Sequence, residues 1–262
     1  MRDITISEIR RGYLKDLAAQ ERRVDGRGLE EFRPVTITTD YIGTAEGSSK
    51  VTFGASEVVS GVKLGIAAPY PDQAASGVMM TNVELRPLAA HLFELGPPRP
   101  PQIELSRVVD RAIRESKAIE LQKLCVKEGE KVWMVFIDGI ITNHGGNLFD
   151  LFTLGSIAAL MTSRVPAKAQ GLGEDYKLPI QHRPIAITSW KLGDQILVDA
   201  TLEEELVADA RLTVATNESE ELVAMQKGGD GSFSREEVEA AFERSAKIGR
   251  DLRKQLEHAT GA

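Results

Sequence analysis

The feature that most restricts what this chain can fold into is the order of its periodicities: short strands first and a helix afterwards, twice over. From Pro34 to Leu85 the β-branched and apolar residues come in short runs, VTITT, SSKVTFG, SEVVSGVKLGIAAP and GVMMTNVEL, divided by turns that contain glycine. Val35, Ile37 and Thr39 alternate with Thr36 and Thr38, which is the period of a half-buried strand. Strands so closely spaced predict a mostly antiparallel sheet. A helix follows over Pro101–Lys117, then a strand over Lys131–Ile141 and a small-residue helix over Asp150–Arg164. After the looser passage 165–178 the order recurs: RPIAITSWKLG, DQILVDAT, DARLTVATNE and ELVAMQKG read as strands, and Ser234 opens a long last helix. Ser234 and Glu237 fit a capping box, and Val238, Phe242, Ile248, Leu252 and Leu256 give the helical apolar spacing. The expectation is an α+β fold, a duplicated β-rich unit with helices packed on mixed sheets, preceded by an N-terminal helix. Its divisions are 1–33 (helix and connector), 34–165 (first half) and 166–262 (second half).

Residues 5–21, TISEIRRGYLKDLAAQE, are read as that N-terminal helix, with Ile6, Ile9, Tyr13, Leu14, Leu17 and Ala18 as its buried stripe. In PQIELSRVVDRAIRESK, Arg107, Arg111 and Arg114 fall within about 60° of one another at 100° per residue. Leu105, Val108, Val109, Ala112 and Ile113 occupy the opposite side, so the segment can bury one face and present guanidinium groups on the other. Two readings compete. Asp110 stands four residues before Arg114 and Glu115 four after Arg111, spacings that make ordinary surface ion pairs. Arg107 has no such partner, and GPPRPP before the helix adds Arg99, which tilts the balance only slightly toward an anion-holding stripe; on spacing alone the solvated surface face is favoured.

A net charge of −7 over 262 residues argues against non-specific coating of nucleic acid, though not against a local basic channel. One cysteine, Cys125, excludes a disulfide framework, and four scattered histidines argue against zinc. No apolar run is long enough to cross a bilayer and the charged start lacks a signal-peptide core, so the expected compartment is the cytoplasm. Glu203-Glu204-Glu205, followed by Asp209, is read either as a solvated or partner-facing acidic patch in a loop or as an acid/base cluster; the patch is favoured. Phosphate-cradling P-loop, dinucleotide, HExxH and nucleophile-elbow patterns are absent from the sequence. GGDGSF at Gly228–Phe233 reads as a tight turn into the last helix or as an anion cradle.

VDGRG at Val24–Gly28, GVKLGI with PYPD between Gly61 and Asp72, NVEL at Asn82–Leu85, IELSRVVDRAIRESKAI from Ile103, KVWMVFID from Lys131 and VDATLEEE at Val198–Glu205 occur in order over nearly the whole chain. Together they resemble the RNase PH family, and within it the non-catalytic RNase PH-like subunit of the archaeal exosome. That resemblance implies a hetero-hexameric ring, a trimer of heterodimers with a catalytic RNase PH-like subunit, capped by RNA-binding proteins. Such a ring degrades single-stranded RNA from its 3′ end with inorganic phosphate, which the partner's active site uses. In active relatives a Val/Leu-Asp strand end leads to Glu-Glu-Asp and then Glu-x-Asp. Here, counting from Asp199 through Glu203–Glu205 and Asp209, Arg211 stands where the final aspartate is expected. A guanidinium stays protonated and cannot exchange that proton. Pro100 and Pro101 stand where arginine precedes the Glu-Ile segment, and GGNLF at 145–149 lacks the phosphate-loop pattern. The resemblance therefore implies a catalytically silent chain with no catalytic residue, metal or cofactor of its own. Arg107 and Arg111, with Arg114, would contact RNA, and Lys117 is left unassigned. The rivals are an active enzyme using Asp199, Glu205 or Asp209 as the acid, and a scaffold that touches only proteins.

Overall fold

The structure, a computed structural model, describes residues 7–261. Its first element, α1 (Glu8–Ala19), is capped by the Ser7 hydroxyl, which accepts from the Arg10 backbone N–H. Five strands then build most of the first sheet: β1 (Val35–Thr39), β2 (Gly47–Phe53), β3 (Ser56–Ala67), β4 (Val78–Leu85) and, after α2 (Pro100–Glu115) and the short β5 (Cys125–Lys127), the long β6 (Lys131–Asn143). The sheet order is β1-β2-β3-β6-β4, with β5 also on β6. All neighbours are antiparallel except β4, which the crossover through α2 lays parallel to β6. Then come α3 (Leu148–Thr162) and a small hairpin of β7 (Arg164–Val165) and β8 (Tyr176–Lys177). The second sheet has the order β10-β9-β11-β12, from β9 (Ile185–Leu192), β10 (Gln195–Val198), β11 (Ala210–Thr216) and β12 (Leu222–Gly228). A short α4 (Leu202–Val207) joins β10 to β11, and α5 (Arg235–Thr260) ends the described chain behind the expected capping box of Ser234 and Glu237.

The layers follow from alternation along the strands. In β9 and β11, Ala186, Thr188, Thr213 and Ala215 turn toward α2 and α3: Ala186 and Ala215 pack with Ala112, and Thr188 bonds Asp150. Leu212 and Val214 turn the other way, onto Ala241, Val238 and Phe242 of α5. Helices α2 and α3 each pack against both sheets, and α3, apolar on every side, is the buried centre. The order is therefore sheet, helices, sheet, helix. The α2 stripe is buried as expected at Leu105, Val108, Val109, Ala112 and Ile113.

The N-terminal helix is shorter than 5–21, and its expected stripe is only partly right. Ile6 lies outside the described residues. Leu14 and Ala18 pack on Trp190 and Leu197, but Ile9 is 87% and Tyr13 48% exposed. The helix docks through Leu14 and Ala18, while Ile9 and Tyr13 lie outward, the Tyr13 ring beneath the Arg10 guanidinium at 5.4 Å. No described helix is long and apolar enough to span a membrane.

Candidate RNA face and adjoining cavity

Two features adjoin the first turns of α2: an exposed arginine face and a cavity of about 310 Å³. The helix starts cleanly because Pro100 and Pro101 fill its first positions, where a missing N–H leaves no bond unmade. Arg107, Arg111 and Arg114 all point to solvent, but their engagement differs. Among the described residues Arg107 makes no ion pair or hydrogen bond, and with Arg111 it borders an open groove. Arg111 donates to Gln226 Oε1 of β12 at 2.9 Å. Arg114 is held in the fold: it donates to both carboxylate oxygens of Asp110 at 3.0 Å and to the Met79 carbonyl at 3.0 Å. The two sequence readings thus divide, with an ordinary i,i+4 pair at Arg114 and available cations at Arg107 and Arg111. Lys117 follows the helix with a positive φ of 54° and is exposed.

The cavity lies where α2, the start of α3, α4 and the second sheet converge, and Arg211 forms part of its wall. The Arg211 side chain is only 11% exposed, paired with Glu104 of α2 and laid over the Phe149 ring at 4.1 Å. Room for it comes from its cross-strand neighbour Gly228, where a Cβ would stand 2.6 Å from the guanidinium carbon. The position read from the sequence as the missing acid is therefore a neutralised, stacked cation at a cavity wall.

Glu203–Glu205 are not a loop patch. Thr201 and Glu204 cap each other and wind the run into α4, so its three carboxylates point three ways. Glu203 is exposed and pairs with Arg10. Glu204 is buried and receives Arg23 Nη2 at 2.6 Å and Nε at 2.9 Å. Glu205 lines the cavity and accepts from the Asn147 backbone N–H at 2.6 Å; burial raises its carboxyl to about 8, against that hydrogen bond and the charges of Arg211 and Arg33. Spacing alone could not reveal this split, since the capping threonine, not the acid run, decides it.

Asp199 is the junction of the two halves. It is fully buried with a φ of 47°, and accepts from Arg33 through N and Nε at 2.8 Å and Nη2 at 2.6 Å, from Arg27 Nη1 at 2.9 Å and from Asn147 Nδ2 at 3.0 Å. Burial alone would raise its pKa; the hydrogen bonds and charge of Arg33 outweigh this and hold it below the ordinary value. Asn147 caps α3 from a left-handed conformation, and Asp150 in the next turn is buried on Thr188, burial raising its carboxyl to about 7. Asp209 accepts from Lys15 at 2.7 and 2.9 Å and from the Gly193 N–H at 2.8 Å, tying α1 to the second sheet. Of the three rival acids, Asp199 and Asp209 are thus saturated and held ionised. His144 also borders the cavity, stacked on Phe93 at 5.3 Å; burial, then Arg33, depresses its pKa to about 4. Among the described residues no group of three or more His, Cys, Asp or Glu is placed to hold a metal. The GGDGSF passage is a turn in which the Gly231 N–H reaches the Asp209 carbonyl at 2.7 Å.

Comparison with known proteins agrees with this architecture. A family model described as RNase PH, 3′ exoribonuclease family, domain 1, matches residues 31–166, and its domain 2 model matches 182–248. The exosome complex component Rrp42 of Methanocella arvoryzae is 47% identical over 98% of this chain and 99% of its own length. A solved Archaeoglobus fulgidus exosome with RNA bound to the active site contains a chain superposing with a TM-score of 0.92 at 45% identity, covering 95% of this chain and 98% of that one. A chain of an archaeal exosome core matches with a TM-score of 0.88 at 42% identity, covering 95% and 97%. With both domain models in order and relatives this similar along their full length, the chain belongs to the RNase PH family of 3′ exoribonucleases, the family its sequence resembles.

Proposed function

We propose that this chain is a non-catalytic subunit of a cytoplasmic exosome ring, holding single-stranded RNA while a catalytic RNase PH-like partner degrades it from the 3′ end with inorganic phosphate. The ring is a hetero-hexamer, a trimer of heterodimers under a cap of RNA-binding proteins. The observation that carries the reading is Arg211. It stands in the acid's place, is tied to Glu104 and Phe149, and among the described residues is the one Lys or Arg lining the cavity. A site so arranged offers no free positive charge to an attacking phosphate dianion. Arg107 and Arg111 supply instead a charged face able to pair with backbone phosphates without reading bases. Arg114 adds to the local potential but its hydrogen bonds belong to Asp110 and Met79.

One observation favours the rival enzyme reading: the Glu205 carboxyl, raised to about 8, carries a proton at neutral pH in the same cavity. Incubation of the purified full chain with single-stranded RNA and phosphate separates the two. The expected result is no nucleoside diphosphate. Release that disappears in Glu205→Gln would replace the silent reading with the active one.

A further inference from the structure

Strand β4 ends the first sheet: β6 pairs with it on one side, and among the described residues no strand lies on the other. At such an edge alternate carbonyls face outward and need partners. Helix α2 supplies them from its side chains. Gln102 Nε2 donates to the Val83 carbonyl at 2.7 Å, Ser106 Oγ to the Thr81 carbonyl at 2.6 Å and Arg114 Nη2 to the Met79 carbonyl at 3.0 Å. Between Ser106 and Arg114, Asp110 accepts from the Thr81 hydroxyl at 3.2 Å and holds the Arg114 guanidinium at 3.0 Å. The four side chains follow one another at four-residue spacing along one row of the helix, and the three carbonyls at two-residue spacing along the strand, in the opposite direction. Four helical residues rise about 6 Å and two strand residues about 6.6 Å, so Gln102 and Ser106 meet their carbonyls in step, and the long Arg114 side chain spans the extra turn.

The apolar contact of α2 does a different job. Leu105, Val109 and Ile113 repeat on every turn and their packing is non-directional, so they hold the helix down but set its place along the sheet only weakly. Hydrogen bonds to the carbonyls of a paired strand are directional and set that place. Arg107 and Arg111 directly follow Ser106 and Asp110 in the chain, so the exposed arginine face is fixed one residue away from these bonds.

We propose that Gln102, Ser106 and Arg114 are positioning residues, which stand in for a missing strand on the β4 edge and thereby hold the Arg107–Arg111 face in place for a phosphate chain. The inference rests on the reading of that face as RNA-binding. Arg114 then acts on RNA through the helix and not by contact. Gln102→Met combined with Ser106→Ala removes two of the bonds with no change of charge, and anisotropy of labelled single-stranded RNA on the reconstituted ring, at several salt concentrations, reads the effect. Affinity should fall about three- to tenfold, the scale of lost pre-organisation, while the slope of log affinity against log salt is kept, because both arginines still reach phosphates. Ser106→Thr in place of Ser106→Ala restores the hydroxyl and should recover part of the loss. Val238→Ala, which thins the packing of α5 on Leu212 and Val214 across the second sheet from α2, controls for lost stability and should leave affinity unchanged. If the double variant does not fold, as thermal melting will show, Ser106→Ala alone should give a smaller loss with the same slope. Unchanged affinity, an equal loss in Val238→Ala or a flattened slope would overturn the proposal. Arg107→Ala with Arg111→Ala tells its failure from that of the RNA reading: a flattened slope there, beside unchanged affinity in the Gln102 and Ser106 variant, removes the positioning role alone, whereas parallel slopes remove both.

Discussion

Replacing Arg107 and Arg111 together by alanine isolates the charge on the exposed face of α2. The fold has little to lose, because Arg107 makes no hydrogen bond among the described residues and Arg111 gives up one, to Gln226. One solvent-exposed bond lost and a change to the best helix former leave a net effect within about 1 kcal/mol. On the RNA side, each phosphate contact to a single strand contributes about 0.7 to the slope of log affinity against log salt. Losing two contacts flattens that slope by about 1.4. A fourfold rise in salt should then cost the unaltered assembly roughly sevenfold more affinity than the variant. Fluorescence anisotropy of labelled single-stranded RNA on the reconstituted ring, at several salt concentrations, reads this directly, with thermal melting as the control for folding. Parallel slopes for the two assemblies would refute the placement of these arginines on the RNA path.

Three further outcomes follow from the buried network. Asp199→Asn should lower unfolding free energy by about 3–5 kcal/mol at pH 7, since it leaves the Arg33 guanidinium with unbalanced charge, while Arg27 keeps Asp25; a shift in urea midpoint at constant slope checks it. Because the folded pKa of Asp199 is depressed, its contribution is present above the unfolded carboxylate value and lost as pH falls through the folded one, and the variant should lack that acid limb. Glu205 has the opposite sign: its folded pKa of about 8 means its contribution is full below the unfolded value and fades as pH rises through about 8, so Glu205→Gln should flatten the fall in stability over that window. Gly146→Ala should cost about 3 kcal/mol or more, because φ is +101° and the added Cβ would stand 2.3 Å from the Ala200 carbonyl oxygen; denaturant titration measures it.

Much of the fold was legible because alternation and capping are local. The strand runs of β9 and β11, the α2 stripe and the Ser234–Glu237 box each announce themselves within a few residues. Ile9 and Tyr13 misled for a physical reason: an amphipathic pattern says which side is apolar, not how much of it a neighbour will cover. The substitution at Arg211 was visible by counting, but its pairing with Glu104, more than a hundred residues away, and the space left by Gly228 were not. The cavity depends on how β9 meets α3 and α4, and no run of the sequence encodes that meeting alone.

The most direct measurement of the division of labour is made on a reconstituted ring in which this chain is intact and only the partner's catalytic acid has been removed. RNA affinity and nucleoside diphosphate release are then read on the same sample. Affinity equal to that of the unaltered ring, with no diphosphate released, is the expected result; diphosphate release from that ring would show that this chain carries chemistry of its own.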